Sequence, residues 1–175
     1  MDANKNYITV PGKIIFDPDD VTKKHEEQAV WKKIAMVFVP GDICEYYAWF
    51  LNRRFNLQLN KPLRGAHISF INDSRKDFRK LINRTDAQID ADWERIKEKY
   101  NKRKVNITLD ISPRTDDKHW WLNIPEEERY PLQNIRNELC LSRPFFGMHL
   151  SIGYCNEKNI NHSKYIHHLI KKGYI

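Results

Sequence analysis

Two segments of this chain share one pattern, glycine–apolar–His–apolar–Ser–apolar: Gly65-Ala66-His67-Ile68-Ser69-Phe70 and Gly147-Met148-His149-Leu150-Ser151-Ile152. Side chains on a β-strand alternate between faces, so a His and a Ser two positions apart point the same way. Ile68 and Phe70, like Leu150 and Ile152, then point to the opposite, buried face. Each copy offers one imidazole and one hydroxyl on a face that is not core. Imidazole titrates near neutral pH and can take up or release a proton, whereas a hydroxyl can donate to an oxyanion. Two such strands side by side would place two proton carriers and two donors around one small anion. Breaking a phosphodiester asks for that set: one proton leaves the nucleophile and another reaches the leaving oxygen. The hydroxyls meanwhile hold the nonbridging oxygens as charge builds up. No carboxylate cluster accompanies the pair, so the expected site uses neither a metal nor another cofactor.

The elements that must position these strands can be read along the chain. Tyr7 to Phe16 alternates loosely around Pro11-Gly12 and predicts a short strand pair or an extended arm with a turn. Asp17-Pro18-Asp19-Asp20 reads as a loop and helix start, and Val21 to Trp31 as a short helix or charged connection. Ile34 to Val39 is a continuous apolar run stopped by Pro40-Gly41, the pattern of a buried central strand. Asp42 can cap a helix in which Ile43, Tyr46, Tyr47, Phe50, Leu51 and Phe55 fall at helical spacing. From Arg75 to Lys102 two apolar groups, Phe78-Leu81-Ile82 and Ile89-Trp93-Ile96, predict two helices broken near Arg84-Thr85-Asp86. Val105 to Ile111 alternates as a half-exposed strand, and His119 to Ile124 follows as another after a turn. Pro125 and the acids Glu126 to Glu128 mark the start of a helix that includes Leu132, Ile135 and Leu139. Lys164 to Lys172 predicts a closing helix. This order predicts an α+β fold of two similar lobes, each an antiparallel sheet with outer helices. No linker or low-complexity segment divides the chain, so residues 1–175 form a single two-lobed domain with 1–33 as an N-terminal extension.

Composition narrows the class. A chain of 175 residues can bury a core without disulfides or metals. Its 30 Lys and Arg against 23 Asp and Glu give a net charge of +7 and a pI near 9.3, which favours an anionic partner. The longest apolar run, Ile34 to Val39, is too short to span a bilayer, and Met1 to Asn6 lacks the apolar stretch of a signal peptide. Cys44, Cys140 and Cys155 form no CxxC and point to a reducing compartment. The expectation is a cytoplasmic protein with no membrane contact and no obligate protein partner.

With both motifs on strands, the chain resembles the 2H phosphoesterase superfamily, named for two His-x-Ser/Thr motifs. That superfamily includes bacterial RNA 2',5'-ligase-like proteins and cyclic phosphodiesterases. The resemblance runs from about Ile34 to Tyr154 and covers the apolar strand before the first helix, His67-Ile68-Ser69 and His149-Leu150-Ser151. It also takes in His119-Trp120-Trp121-Leu122-Asn123-Ile124, which is similar to the family's penultimate strand. Serine stands where threonine is commoner in both motifs. Met148 replaces a frequent proline, and Gly153-Tyr154 follows where many members carry an arginine. The resemblance implies a bilobal fold with a central groove, one of His67 and His149 as base and the other as acid, and phosphate binding by Ser69 and Ser151. It further implies a metal-independent phosphodiesterase acting on a nucleotide or RNA substrate. That substrate would be a 2',3'-cyclic phosphate RNA end, a cyclic mononucleotide, or a cyclic oligonucleotide signal destroyed as counter-defence in a host's cytoplasm. Two alternatives remain on the same residues: a non-catalytic RNA- or nucleotide-binding module, and an RNA 2',5'-ligase.

Other side chains are candidates for contacts around the phosphate. Tyr154, on the second His strand, offers a ring to a base. Trp120 and Trp121 point to opposite faces, so at most one, taken as Trp121, faces a groove. Arg64 beside the first motif and Arg143 before the second offer positive charge, although each also reads as a surface arginine. His162, His167 and His168 read as solvent-exposed rather than as a metal tail, and His25 and His119 as bystanders.

Overall fold

The structure, a computed structural model, describes residues 6–18, 32–74, 77–78, 84–116, 118–144 and 147–155. The expected helix or connection over Val21 to Trp31, most of the helix expected after Arg75 and the closing helix from Lys164 lie outside the described residues. So do His25, His162, His167 and His168.

The apolar alternation of Tyr7–Phe16 makes a single strand, β1, with Val10, Ile14 and Phe16 on its buried side. The turn expected at Pro11-Gly12 is absent, and the strand runs through it. Its first part, Tyr7 to Lys13, pairs with β4 (Lys104–Asp110), and its last part, Lys13 to Phe16, pairs with β2 (Lys32–Phe38). Pro11 lies where only β4 runs alongside, a position that tolerates a residue without an N–H. Tyr7–Phe16 is therefore built into the sheet.

The remaining described elements fall where the sequence pattern expects them, except that Gly41 rather than Asp42 is the N-cap of the first helix and a two-residue strand lies within the turn expected after Ile111. Helix α1 spans Asp42–Phe55 and buries Ile43, Cys44, Leu51 and Phe55. Strand β3 is His67–Ser74. Helix α2, Asp86–Tyr100, opens with a capping box in which the Thr85 side chain accepts from the Gln88 N–H and the Gln88 side chain accepts from the Thr85 N–H. After β4 come the short β5 (Arg114–Thr115) and β6 (His119–Asn123). Pro125 and the three acids form one 3-10 turn, Glu126–Glu128, before helix α3, Tyr130–Glu138. Strand β7 is His149–Tyr154.

All seven strands form one curled antiparallel sheet in the order β4-β1-β2-β3-β7-β6-β5. Its core face carries Ala35, Val37, Ile68, Phe70, Leu150, Ile152, Trp120 and Leu122, joined in one apolar cluster with residues of α1, α2 and α3. Trp120 stacks on Phe55 of α1, and the fully buried Trp93 of α2 packs on Phe16 and donates its indole N–H to Asp17 at 3.0 Å. Ile34 and Met36 are buried but stand apart from this cluster, on the other face of β2. That explains the unbroken apolar run there: β2 is covered on both sides.

One buried charge ties α3 to the first His strand. Arg136, only 1% exposed, forks onto the Asp73 carboxylate at 2.8 and 3.1 Å and donates to the carbonyls of Phe70 and Ser142, each at 2.7 Å. Every one of these bonds satisfies a group that burial would otherwise leave costly. Cys44, Cys140 and Cys155 are free thiols, and no helix among the described residues is long and apolar enough to cross a membrane.

Candidate active site

Each His strand is entered through the same tight turn. The Gly65 N–H bonds to the Pro62 carbonyl and the Gly147 N–H to the Pro144 carbonyl, both at 3.1 Å, and the two glycines have φ of +69° and +70°. Left-handed backbone of this kind strongly favours glycine. The repeat is therefore longer than its His-x-Ser core: Lys61-Pro62 and Arg143-Pro144 precede the two glycines at matching positions. A search for turn signals upstream of each glycine would have found it.

Strands β3 and β7 meet antiparallel with Ile68 opposite Leu150. One residue out in each direction, this register sets His67 opposite Ser151 and Ser69 opposite His149. Directly opposed side chains in such a ladder stand about 5 Å apart at Cβ and diagonal ones about 7–8 Å. The two imidazoles are thus the diagonal of a square whose other corners are the two serines. Neighbouring strands extend both rungs. Phe38 lies opposite His67 and Trp121 opposite Ser151, while Met36 lies opposite Ser69 and Asn123 opposite His149. This is the face of the sheet away from the helices.

The local environments of the two histidines differ. The His67 Nδ1 lies 3.0 Å from the Gly65 carbonyl oxygen. A carbonyl only accepts, so Nδ1 carries the hydrogen and Nε2 is the nitrogen left for chemistry. Burial lowers the pKa of His67, the Gly65 bond raises it, and the nearby positive charge of Arg64 lowers it, leaving the ring below the ordinary histidine value. His149 instead lies against the indole of Trp121, with ring centres 5.8 Å apart. Trp121 is held in turn by its Nε1–H bond to Asn123 at 3.0 Å. Beneath the square, the Cys44 thiol donates to the Ser151 carbonyl at 3.3 Å. Burial, and then the charges of Asp42 and Glu45, push that thiol up to about 11, so it stays protonated as a donor.

A cavity of about 470 Å³ opens on this face, and His67, Ser69 and Ser151 line it. Arg64 and Tyr154 line it as well, with the Arg64 Nη1 also 3.9 Å from the Met36 sulfur. Tyr154 is fixed by paired backbone bonds with Asn60 at 2.8 and 3.1 Å, which bring the loop after α1 across the end of β7. His149 and Trp121 continue the same face beside the cavity rather than lining it. Arg143 stands elsewhere: it pairs with Glu126 and lines a second cavity, of about 250 Å³, with Tyr130 and Pro144. His119, a bystander by its place in the sequence, lines the main cavity with Lys118. Its neighbour in sequence holds it there, since the Asp116 carboxylate accepts from both the His119 ring and its backbone N–H. No three His, Cys, Asp or Glu side chains among the described residues converge as metal ligands.

No protein-family model, curated protein or solved structure matches this chain.

Proposed function

We propose that the protein is a phosphodiesterase of the 2H type, hydrolysing a cyclic or 2'-hydroxyl-bearing nucleotide phosphodiester by His/His acid–base catalysis without a metal. The two halves of the sheet, β4-β1-β2-β3 and β7-β6-β5, are its two lobes, and the β3/β7 seam is the floor of its groove. The observation that carries this reading is the Ile68–Leu150 register, which sets each histidine opposite the other motif's serine on one face of the sheet. A phosphate centred on that square meets a proton carrier at two opposite corners and a hydroxyl donor at the other two.

The differences between the histidines support one division of roles. His67, neutral by its lowered pKa and with Nδ1–H tied to Gly65, presents a basic Nε2 and removes the proton from the attacking hydroxyl. His149, across the diagonal, delivers a proton to the leaving oxygen. When water afterwards opens a cyclic phosphate, the roles reverse. Ser69 and Ser151 donate to the nonbridging oxygens throughout. The basic charge balance of the chain suits an anionic substrate of this kind.

The test is product chromatography from a panel of 2',3'-cyclic mononucleotides, cyclic dinucleotides and RNA with cyclic ends, all in EDTA. The His67→Ala and His149→Ala variants run alongside. Turnover by the wild type that both variants lose supports the reading. Activity that survives in either variant rules out the two-histidine mechanism, and binding without any turnover favours a nucleotide-binding module on the same face.

A further inference from the structure

The main cavity extends well past the square of histidines and serines. From Ser151 it follows β7 to Tyr154, then reaches Lys118 and His119 at the start of β6, where His119 pairs with Tyr154 across the ladder. Three residues along a strand is about 10 Å, further than one phosphate group reaches. We propose that this far end is a second anion subsite, formed by Lys118 and His119, and that the substrate carries at least two phosphates. The inference rests on the phosphodiesterase reading for the role of the first phosphate, but not for the existence of the second subsite.

Three observations carry it. The first is the charge of the lining: Arg64 and Lys118 are cations, and among the described residues no carboxylate lines it. The second is that the far end is built rather than loose. The Asp116 carboxylate accepts the His119 Nδ1 at 3.1 and 3.2 Å, the His119 backbone N–H at 2.7 Å and the Lys118 backbone N–H at 3.2 Å. This fixes the ring with its Nδ1–H on Asp116, so that Nε2 is a donor to an anion in the protonated imidazole, and Asp116 is occupied by its own turn. Lys118 makes no ion pair among the described residues, so its ammonium adds a charge that Asp116 does not cancel. The third is the surface between the two ends, where Leu63 and Tyr154 offer apolar and aromatic contact of the kind a nucleoside takes. The second phosphate has two possible sources with the same chemistry, a terminal phosphomonoester or a neighbouring phosphodiester of an oligonucleotide.

Equilibrium titration by calorimetry, using the whole chain with His149→Ala so that no ligand is consumed, tests this directly. The ligands are a nucleoside 5'-monophosphate, a nucleoside 3',5'-bisphosphate and a trinucleoside diphosphate. The bisphosphate, the trinucleoside diphosphate, or both should bind about tenfold or more tighter than the monophosphate, the effect of one added charge-assisted contact. The tighter of the two names the source. Adding Lys118→Gln and His119→Gln should remove that advantage while leaving the unfolding midpoint in place, both residues being exposed. Equal affinity for one- and two-phosphate ligands overturns the proposal, and so does an advantage that survives the double substitution. Because binding is measured, the outcome is separate from turnover: a preference that depends on Lys118 and His119 stands even if no phosphodiester is cleaved.

Discussion

Gly65→Ala isolates the backbone that aims His67. At φ of +69°, no heavy atom lies within 4 Å of the position a Cβ would take, so the cost of the alanine is conformational rather than steric. A non-glycine residue in left-handed backbone costs about 1–2 kcal/mol. For a chain of this size that lowers the melting temperature by roughly 2–8 °C. The Gly65 carbonyl is also the acceptor for the His67 Nδ1–H, so any relaxation of the turn releases the ring that it orients. Activity should then fall by more than the loss of folded protein accounts for. Asparagine tolerates left-handed backbone far better than alanine, which makes Gly65→Asn the internal control. The measurements are thermal unfolding of both variants and kcat on the best cyclic substrate at a temperature where both are folded. Asparagine is expected to recover most of the stability and most of the rate. If alanine and asparagine prove equally damaging, or equally harmless, the argument from backbone conformation is refuted.

Three further outcomes are expected. Ser69→Ala and Ser151→Ala should each lower kcat by about 10²–10³, the usual loss of one oxyanion donor, as read in single-turnover rates; near wild-type rates in both would remove the serines from the mechanism. Because the pKa of His67 is depressed, the acid limb of kcat/KM should lie below the ordinary histidine value of 6.5. Arg64→Gln should move that limb upward, since Arg64 is one of the causes of the depression. Folding carries the same sign: the contribution of His67 to stability is full above 6.5 and fades as pH falls through the depressed value. Arg136→Met should cost about 3–5 kcal/mol in denaturant unfolding, because it strands the Asp73 carboxylate and two carbonyls. Arg136→Lys, with one donor group in place of a fork, should recover only part of this.

Much of the fold was legible in the sequence because its signals are local. The helical spacing of Ile89, Trp93 and Ile96, the acids after Pro125 and the apolar run of β2 each report a neighbourhood of a few residues. The structure carries the corresponding elements there. At Pro11-Gly12 the local signal misled. Turn chemistry was overridden by pairing to β4, a partner nearly a hundred residues away along the chain, roughly as tertiary context overrides any local propensity. Arg136 could not be found by pattern, since a lone arginine on a helix looks solvated until Asp73 and the carbonyls of Phe70 and Ser142 close around it.

The same division runs through the site. Alternation along a strand is a property of the backbone, so the sequence by itself determined that His67 shares a face with Ser69 and His149 with Ser151. It also separated Trp120 from Trp121, one stacked in the core on Phe55 and the other beside His149. Which strands become neighbours, and in what register, is a long-range choice made by the packing of the whole sheet on its helices. Only the tertiary structure set Ile68 opposite Leu150 and so crossed each histidine with the other motif's serine. It alone left Arg143 with Glu126, gave His67 and His149 different surroundings and brought His119 into the main cavity. The reason is physical: covalent geometry orients a side chain relative to its own strand, but only the folded sheet decides what it faces.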